Sequence, residues 1–161
     1  MKENIILNKS FDFSVRIINL YRYLMNNSKE YVLSKQILPS GTSIGANVNE
    51  AIETQSQKDF ISKMGIALKE TSETIYWLRL LHATKYITKK QFDSICADAY
   101  EIKRIISSII LSSKEKGGKR WKIILNSQFS ILNSSPPLPR RSFQNLTGSA
   151  SARRAGLLSP S

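Results

Sequence analysis

Apolar residues recur every three or four positions through most of the first 116 residues, a spacing that predicts amphipathic helices. In the first helix, Phe11, Val15, Ile18, Tyr21 and Met25 form a stripe at spacings of 4, 3, 3 and 4. Ser10 is its expected N-cap and Asn27 its expected end. Ile17, Leu20 and Leu24 widen the stripe, which predicts contact with more than one neighbour. A second helix is expected from about Lys29 to Thr54. Pro39 lacks a backbone donor and clashes with the preceding turn, and Gly41 and Gly45 are weak helix formers. A kink or break is therefore expected near Leu38–Gly41, with Ile44, Val48, Ala51 and Ile52 keeping helical spacing beyond it.

The third helix gives the clearest pattern. Ser56 is a cap with Asp59 three residues on, and Phe60, Met64, Ala67, Thr71, Ile75, Leu78 and Leu81 follow to about Ala83. Tyr86-Ile87 is a short connector. Thr88-Lys89-Lys90-Gln91 is a full capping box that opens a fourth helix, with Phe92, Ile95, Ala99, Ile102, Ile106 and Ile109 continuing to about Lys114. Nothing in 1–116 reads as a strand. Long helices with short connections predict an all-α, antiparallel up-down-up-down four-helix bundle over 1–116. Phe13, Ile61, Leu68, Trp77, Ile105 and Ile110 lie off the main stripes. Such extra apolar surface favours subunit packing, with a larger internal core as the rival reading.

Between Ser40 and Ala51 small residues dominate, and the large apolar side chains Ile44 and Val48 stand one helical turn apart. Gly41, Ile44, Gly45 and Val48 are accordingly the expected close-packing site, where another helix backbone approaches.

Composition changes at Gly117-Gly118. Residues 126–161 are rich in Ser, Asn, Pro and Arg without sustained period, and 117–161 is read as a disordered tail. Trp121, Ile123, Ile124 and Leu125 are candidates for local docking. Charge is uneven as well. The chain carries 24 basic and 12 acidic residues, net +12, and every acid lies in 1–116. The bundle segment has 17 basic residues against those 12, or +5, and the tail has seven basic residues and no acid, or +7. Such an excess favours polyanions, with solubility as the plainer explanation.

Catalytic constellations are missing from the pattern. His82 is the single histidine, and Cys96 the single cysteine, so no disulfide or His/Cys metal spacing is possible within the chain. His82 is expected in a structural or surface role and Cys96 as a buried thiol. Glu50 and Glu53, and Glu70 and Glu73, are spaced like carboxylate bundle sites but lack the Glu-x-x-His partners. Ser43 has no histidine partner, and Gly41-Thr42-Ser43-Ile44-Gly45 lacks the Gly-Lys-Ser/Thr end of a phosphate loop. No cofactor and no enzyme activity are expected. The N-terminal apolar run is too short for a signal peptide or a membrane span, which predicts a cytoplasmic protein with no membrane partner.

The segments Ser40-Gly41-Thr42-Ser43-Ile44-Gly45-Ala46-Asn47-Val48, Glu50-Ala51, Lys58-Asp59-Phe60, Lys63-Met64 and Ile66-Ala67-Leu68-Lys69-Glu70 share an order with one bacterial group. Glu73-Thr74 and Tyr76-Trp77-Leu78-Arg79-Leu80-Leu81 extend the match, which covers about residues 10–115. Together they resemble the four-helix bundle proteins encoded in intervening sequences of 23S ribosomal RNA genes. That resemblance implies an antiparallel four-helix bundle assembling as a ring-like homopentamer. It also implies kinship with the accessory variability proteins of diversity-generating retroelements, which are basic, pentameric and associate with nucleic acid and a reverse transcriptase. The chain departs from the pattern at Leu38-Pro39, where many members carry basic residues.

The expected function is that of a non-catalytic, homo-oligomeric scaffold associated with RNA or DNA. The alternative is an assembly module that recruits a protein partner without touching nucleic acid. Candidate phosphate contacts are Arg16, Arg22, Lys35, Arg79, Lys85, Lys89, Lys90, Lys103 and Arg104, with Tyr86 interleaved among Lys85, Lys89 and Lys90. Lys58, Lys63 and Lys69 complete the basic set considered. In the tail, Pro136-Pro137-Leu138-Pro139 and the pairs Arg140-Arg141 and Arg153-Arg154 are weak candidates for peptide or phosphate contacts.

Overall fold

The computed structural model describes residues 4–115. The expectations for the tail, 117–161, lie outside the described residues. Four helices make up the fold: α1 (Ile5–Tyr23), α2 (Leu33–Glu53), α3 (Gln57–Ala83) and α4 (Lys89–Glu115), with a π-helical turn, Leu24–Ser28, continuing α1. No strand occurs among the described residues. Side-chain contacts between neighbours run in opposite directions along every pair. Ile17 meets Gly41 while Ser10 and Ser14 meet Gly45 across α1 and α2. Thr74 bonds Ser40 and Lys63 bonds Glu50 across α2 and α3. Across α3 and α4, Gln57 bonds the Ser113 carbonyl while His82 stacks on Phe92; across α1 and α4, Lys9 bonds Glu101 while Arg16 bonds Asp98. The bundle is therefore antiparallel and closed, with each helix packed between two others.

The capping chemistry of α3 and α4 follows the sequence. Ser56 Oγ accepts from the Asp59 N–H at 3.1 Å. At α4 the box is reciprocal: Thr88 N–H donates to Gln91 Oε1 at 2.7 Å, and Gln91 N–H donates to Thr88 Oγ1 at 3.3 Å. All seven residues of the α3 stripe are buried, as are Ile95, Ala99, Ile102, Ile106 and Ile109 of α4. At 1.5 Å per residue, each of these 27-residue helices is about 40 Å long.

The first helix differs from expectation in both start and face. Its N-cap is Asn4, whose side chain accepts from the Leu7 N–H, and Ser10 lies inside the helix, buried, donating to the Leu7 carbonyl. The buried stripe is Ile6, Ser10, Phe13, Ile17, Leu20 and Leu24, whereas Phe11 and Val15 are 69% and 42% exposed. The reason lies in α2. Its glycine-bearing surface admits only a close neighbour, and the side of α1 carrying small Ser10 and Ser14 around Ile17 fits it. A buried serine, satisfied by its own helix, masked the true stripe.

The second helix starts at Leu33, four residues later than expected, and runs unbroken through Pro39. Pro39 is exposed, so its ring points away from the core, and buried Ile37, Ser40, Gly41 and Ile44 hold the helix on either side of it. Of the off-stripe apolar residues, Phe13 and Ile105 are buried, and Ile61, Leu68, Trp77 and Ile110 pack against the core from its edge. These six belong to a larger internal core. The exposed apolar side chains are others: Phe11 and Val15 on α1, Val32 just before α2, Ile66 and Tyr76 on α3, and Tyr100 and Leu111 on α4.

Candidate nucleic-acid interface

Antiparallel topology brings the α1–α2 and α3–α4 connections to one end of the bundle. Each connection is held by a left-handed residue closing a helix C-terminus, and in both cases that residue is a lysine. Lys29 has φ 52° and Lys85 φ 64°, and no other non-glycine residue among those described has positive φ. At the second turn, Tyr86 N–H reaches back to the Leu81 carbonyl at 2.9 Å and Lys85 N–H to His82 at 3.0 Å, the paired bonds of a Schellman closure. At the first, Glu30 N–H bonds the Leu24 carbonyl at 3.0 Å. Glycine or asparagine is the usual solution at such a position. Lysine there adds a cation at the cost of backbone strain.

Five other cations join them. Arg22, Lys35, Arg79, Lys89 and Lys90 are all exposed and all lie within about two turns of this end, as Lys29 and Lys85 do. Residues 22–36 and 79–93 together hold seven basic side chains against two acidic ones, a net of +5. The remainder of 4–115 holds eight basic and nine acidic residues, a net of −1. All of the net positive charge of the described bundle is thus at one end. Both acids are already counted in that net, and each has a local partner. Asp93 pairs with Lys89 at 2.6 Å in an exposed i,i+4 contact of small energetic weight. Glu30 is turned inward, 5% exposed, and its carboxylate accepts from the N–H groups of Val32, Leu33 and Ser34 at 3.0, 2.8 and 2.7 Å. Burial pushes its pKa up, but the backbone donors of Leu33, Ser34 and Val32 outweigh that and hold it below the ordinary 4.5.

Six of the nine sequence-predicted contacts therefore gather here: Arg22, Lys35, Arg79, Lys85, Lys89 and Lys90. Three do not. Arg16 lies in the seam between α1 and α4, ion-paired to Asp98 and donating to the Ser94 carbonyl at 3.1 Å and hydroxyl at 2.9 Å. Lys103 and Arg104 sit further along α4, beside Ser107 and Leu111 on its outer surface. Sequence reasoning missed Lys29 and Tyr31. The polar run Asn26-Asn27-Ser28-Lys29-Glu30 between apolar stretches marks the turn that carries them.

The close-packing stretch is a separate feature. Ile44 and Val48 are fully buried, and a Cβ added to Gly41 would stand 2.6 Å from Ile17 Cγ1. His82 stacks on Phe92 at 4.8 Å with 18° between the rings, joining α3 to the start of α4. Cys96 is buried; burial and the nearby Asp93 charge raise its pKa to about 11 against a smaller opposing effect of Arg79. Among the described residues no group of three or more His, Cys, Asp or Glu could hold a metal ion, and no helix is long and apolar enough to cross a membrane.

A family model for the 23S rRNA-intervening sequence protein matches residues 2–108, the whole bundle up to the last turns of α4. The chain belongs to this family. The match to the family agrees with the motifs from Ser40 to Leu81 that carry the resemblance. A solved structure from the S23 ribosomal protein family, a protein of unknown function from Bacteroides thetaiotaomicron VPI-5482 at 1.70 Å resolution, is 57% identical. It superposes with a TM-score of 0.65, over 65% of this chain and 97% of that one. Comparison with functionally curated proteins gives no match. Family membership accounts for the bundle and its packing motif; it leaves the role of the basic end to be argued from the residues themselves.

Proposed function

We propose that this family member is a non-catalytic scaffold that binds nucleic acid through the basic end of its bundle. The observation that carries the reading is the segregation of charge, +5 at the turn end against −1 over the rest of the described bundle. Exposed lysines and arginines bind phosphates mainly by neutralising charge and releasing counterions, which gives affinity without sequence readout. Of the paired carboxylates, Glu50 bonds Lys63 and Glu73 accepts from Trp77 Nε1 at 3.1 Å.

The reading is tested in the full chain by fluorescence anisotropy with a labelled RNA over a range of salt. The tail is basic too, so charge reversals are compared at the two places. Changing Lys85, Lys89 and Lys90 to Glu should weaken binding and lower the salt slope by about two to three, since each lost phosphate contact removes roughly 0.7 to 0.9. The same number of reversals among Arg140, Arg141 and Arg153 should do less. If only the tail reversals matter, the bundle end does not bind nucleic acid, and salt-insensitive protein recruitment becomes the better account.

Self-assembly is part of the proposal. Phe11 and Val15 stand four apart on α1 and face outward, opposite a stripe that already fills the core. A helix apolar on two faces is the expected mark of a subunit that packs against others. The resemblance implies five copies, and a ring would repeat the basic end around its axis. Light scattering should give a pentameric mass that falls to a monomer in Phe11→Asp/Val15→Asp; a monomeric wild type would overturn this part.

A further inference from the structure

We infer that the basic end takes unpaired, single-stranded nucleic acid in preference to duplex, with Tyr31 and Tyr86 stacking on bases between the phosphate-binding lysines. The inference rests on the proposed nucleic-acid reading and narrows its ligand. Each of the two turns at this end carries the same pairing of features, a left-handed lysine followed within two residues by an exposed tyrosine. Tyr31 is 46% exposed and Tyr86 37%, so each ring has surface open to solvent while its backbone is fixed. Tyr86 is anchored by its N–H on Leu81, and Tyr31 sits between Glu30, bonded to Leu24, and Val32, bonded to the Glu30 carboxylate.

Backbone donors at this end are largely engaged. The first amides of α2 are taken by Glu30, and Thr88 and Gln91 form a reciprocal cap at α4. Most of what this end presents to a ligand is therefore side chain: exposed cations, with the exposed rings of Tyr31 and Tyr86 between them. A duplex can use the cations, but its base faces are already stacked inside the helix. Only an unpaired strand has bases free to lie on a tyrosine, and such stacking tolerates any base.

The test uses the full chain, with a 20-nucleotide unstructured single strand and a duplex of equal length as anisotropy probes. Wild type should prefer the single strand. Tyr31→Ala and Tyr86→Ala should each weaken single-strand binding about fivefold to a hundredfold, leave duplex binding and the salt slope nearly unchanged, and be rescued by Tyr→Phe. Both side chains are exposed, and circular dichroism checks that the variants fold. Equal affinity for both probes, or alanine variants that bind the single strand as wild type does, would overturn the stacking inference and leave the phosphate reading standing. No binding of either probe at low salt would overturn both.

Discussion

Gly41 of α2 lies so close to Ile17 of α1 that a methyl group on Gly41 would stand 2.6 Å from Cγ1 and 2.8 Å from Cγ2 of that side chain. Ile17 is fully buried, and its branched Cβ would itself lie 3.1 Å from the added methyl. Gly41→Ala should therefore destabilise the fold by about 1–3 kcal/mol, overpacking outweighing the better helix propensity of alanine. Gly65, in the first half of α3, has nothing within 4 Å of a built Cβ, and Gly65→Ala should stabilise by about 0.5–1 kcal/mol. Urea unfolding of the two variants checks the contrast; a stabilising Gly41→Ala would mean that α1 and α2 are not packed this closely.

Glu30 gives the bundle a pH dependence. Its folded pKa is depressed, so its contribution is present above the unfolded value of about 4.5 and is lost as pH falls through the folded value. Glu30→Gln should cost about 1–3 kcal/mol at neutral pH by weakening three backbone acceptor bonds. The gap between variant and wild type should close on acidification below pH 4.5, as chemical denaturation at several pH values would reveal. A gap that is constant with pH would assign the loss to packing instead.

Lys85 sets stability against charge. Left-handed backbone costs a side-chain-bearing residue roughly 1 kcal/mol, and glycine escapes that cost. Lys85→Gly should raise the urea midpoint while lowering the salt slope of RNA binding by about one. Weaker folding in this variant would show that the lysine stem packs on the turn.

Arg16 should behave in the opposite way. Arg16→Ala removes an interhelical ion pair, partly exposed, and the bonds to Ser94, for a loss of about 1 kcal/mol. RNA affinity should stay within about twofold of wild type. A large loss of affinity with unchanged stability would return Arg16 to the binding surface.

Most of this bundle is legible from residue spacing, because α3 and α4 begin on strong caps and keep their apolar residues in one register. The first helix resists such reading for a definite reason: it has two apolar faces nearly opposite each other. Phe11 and Val15 look more like core residues than Ser10 does, and only the glycines of another helix, some thirty residues away, decide between them. At Pro39 the helix does not break, since burial on both sides of it outweighs a local signal. At the basic end, charge counting finds six of the cations and groups Lys85, Lys89 and Lys90, but only antiparallel topology joins these to Arg22 and Lys35 of the other turn. Lys29 escapes notice, and so does the left-handed backbone of both Lys29 and Lys85, because no local pattern announces that a lysine will occupy such a position.

The charge asymmetry gives the bundle a permanent electric moment along a long axis of about 40 Å. In the field of any polyanion such a molecule experiences a torque before it experiences contact, and the turn end swings forward. Approach becomes a rotation followed by a collision, which raises the fraction of encounters that begin in a usable orientation. The range of this effect is the screening length, about 30 Å at 0.01 M salt and about 10 Å at 0.1 M. In dilute buffer the whole molecule is aligned from a distance comparable to its own length; at physiological salt only the last few ångströms of the approach are guided.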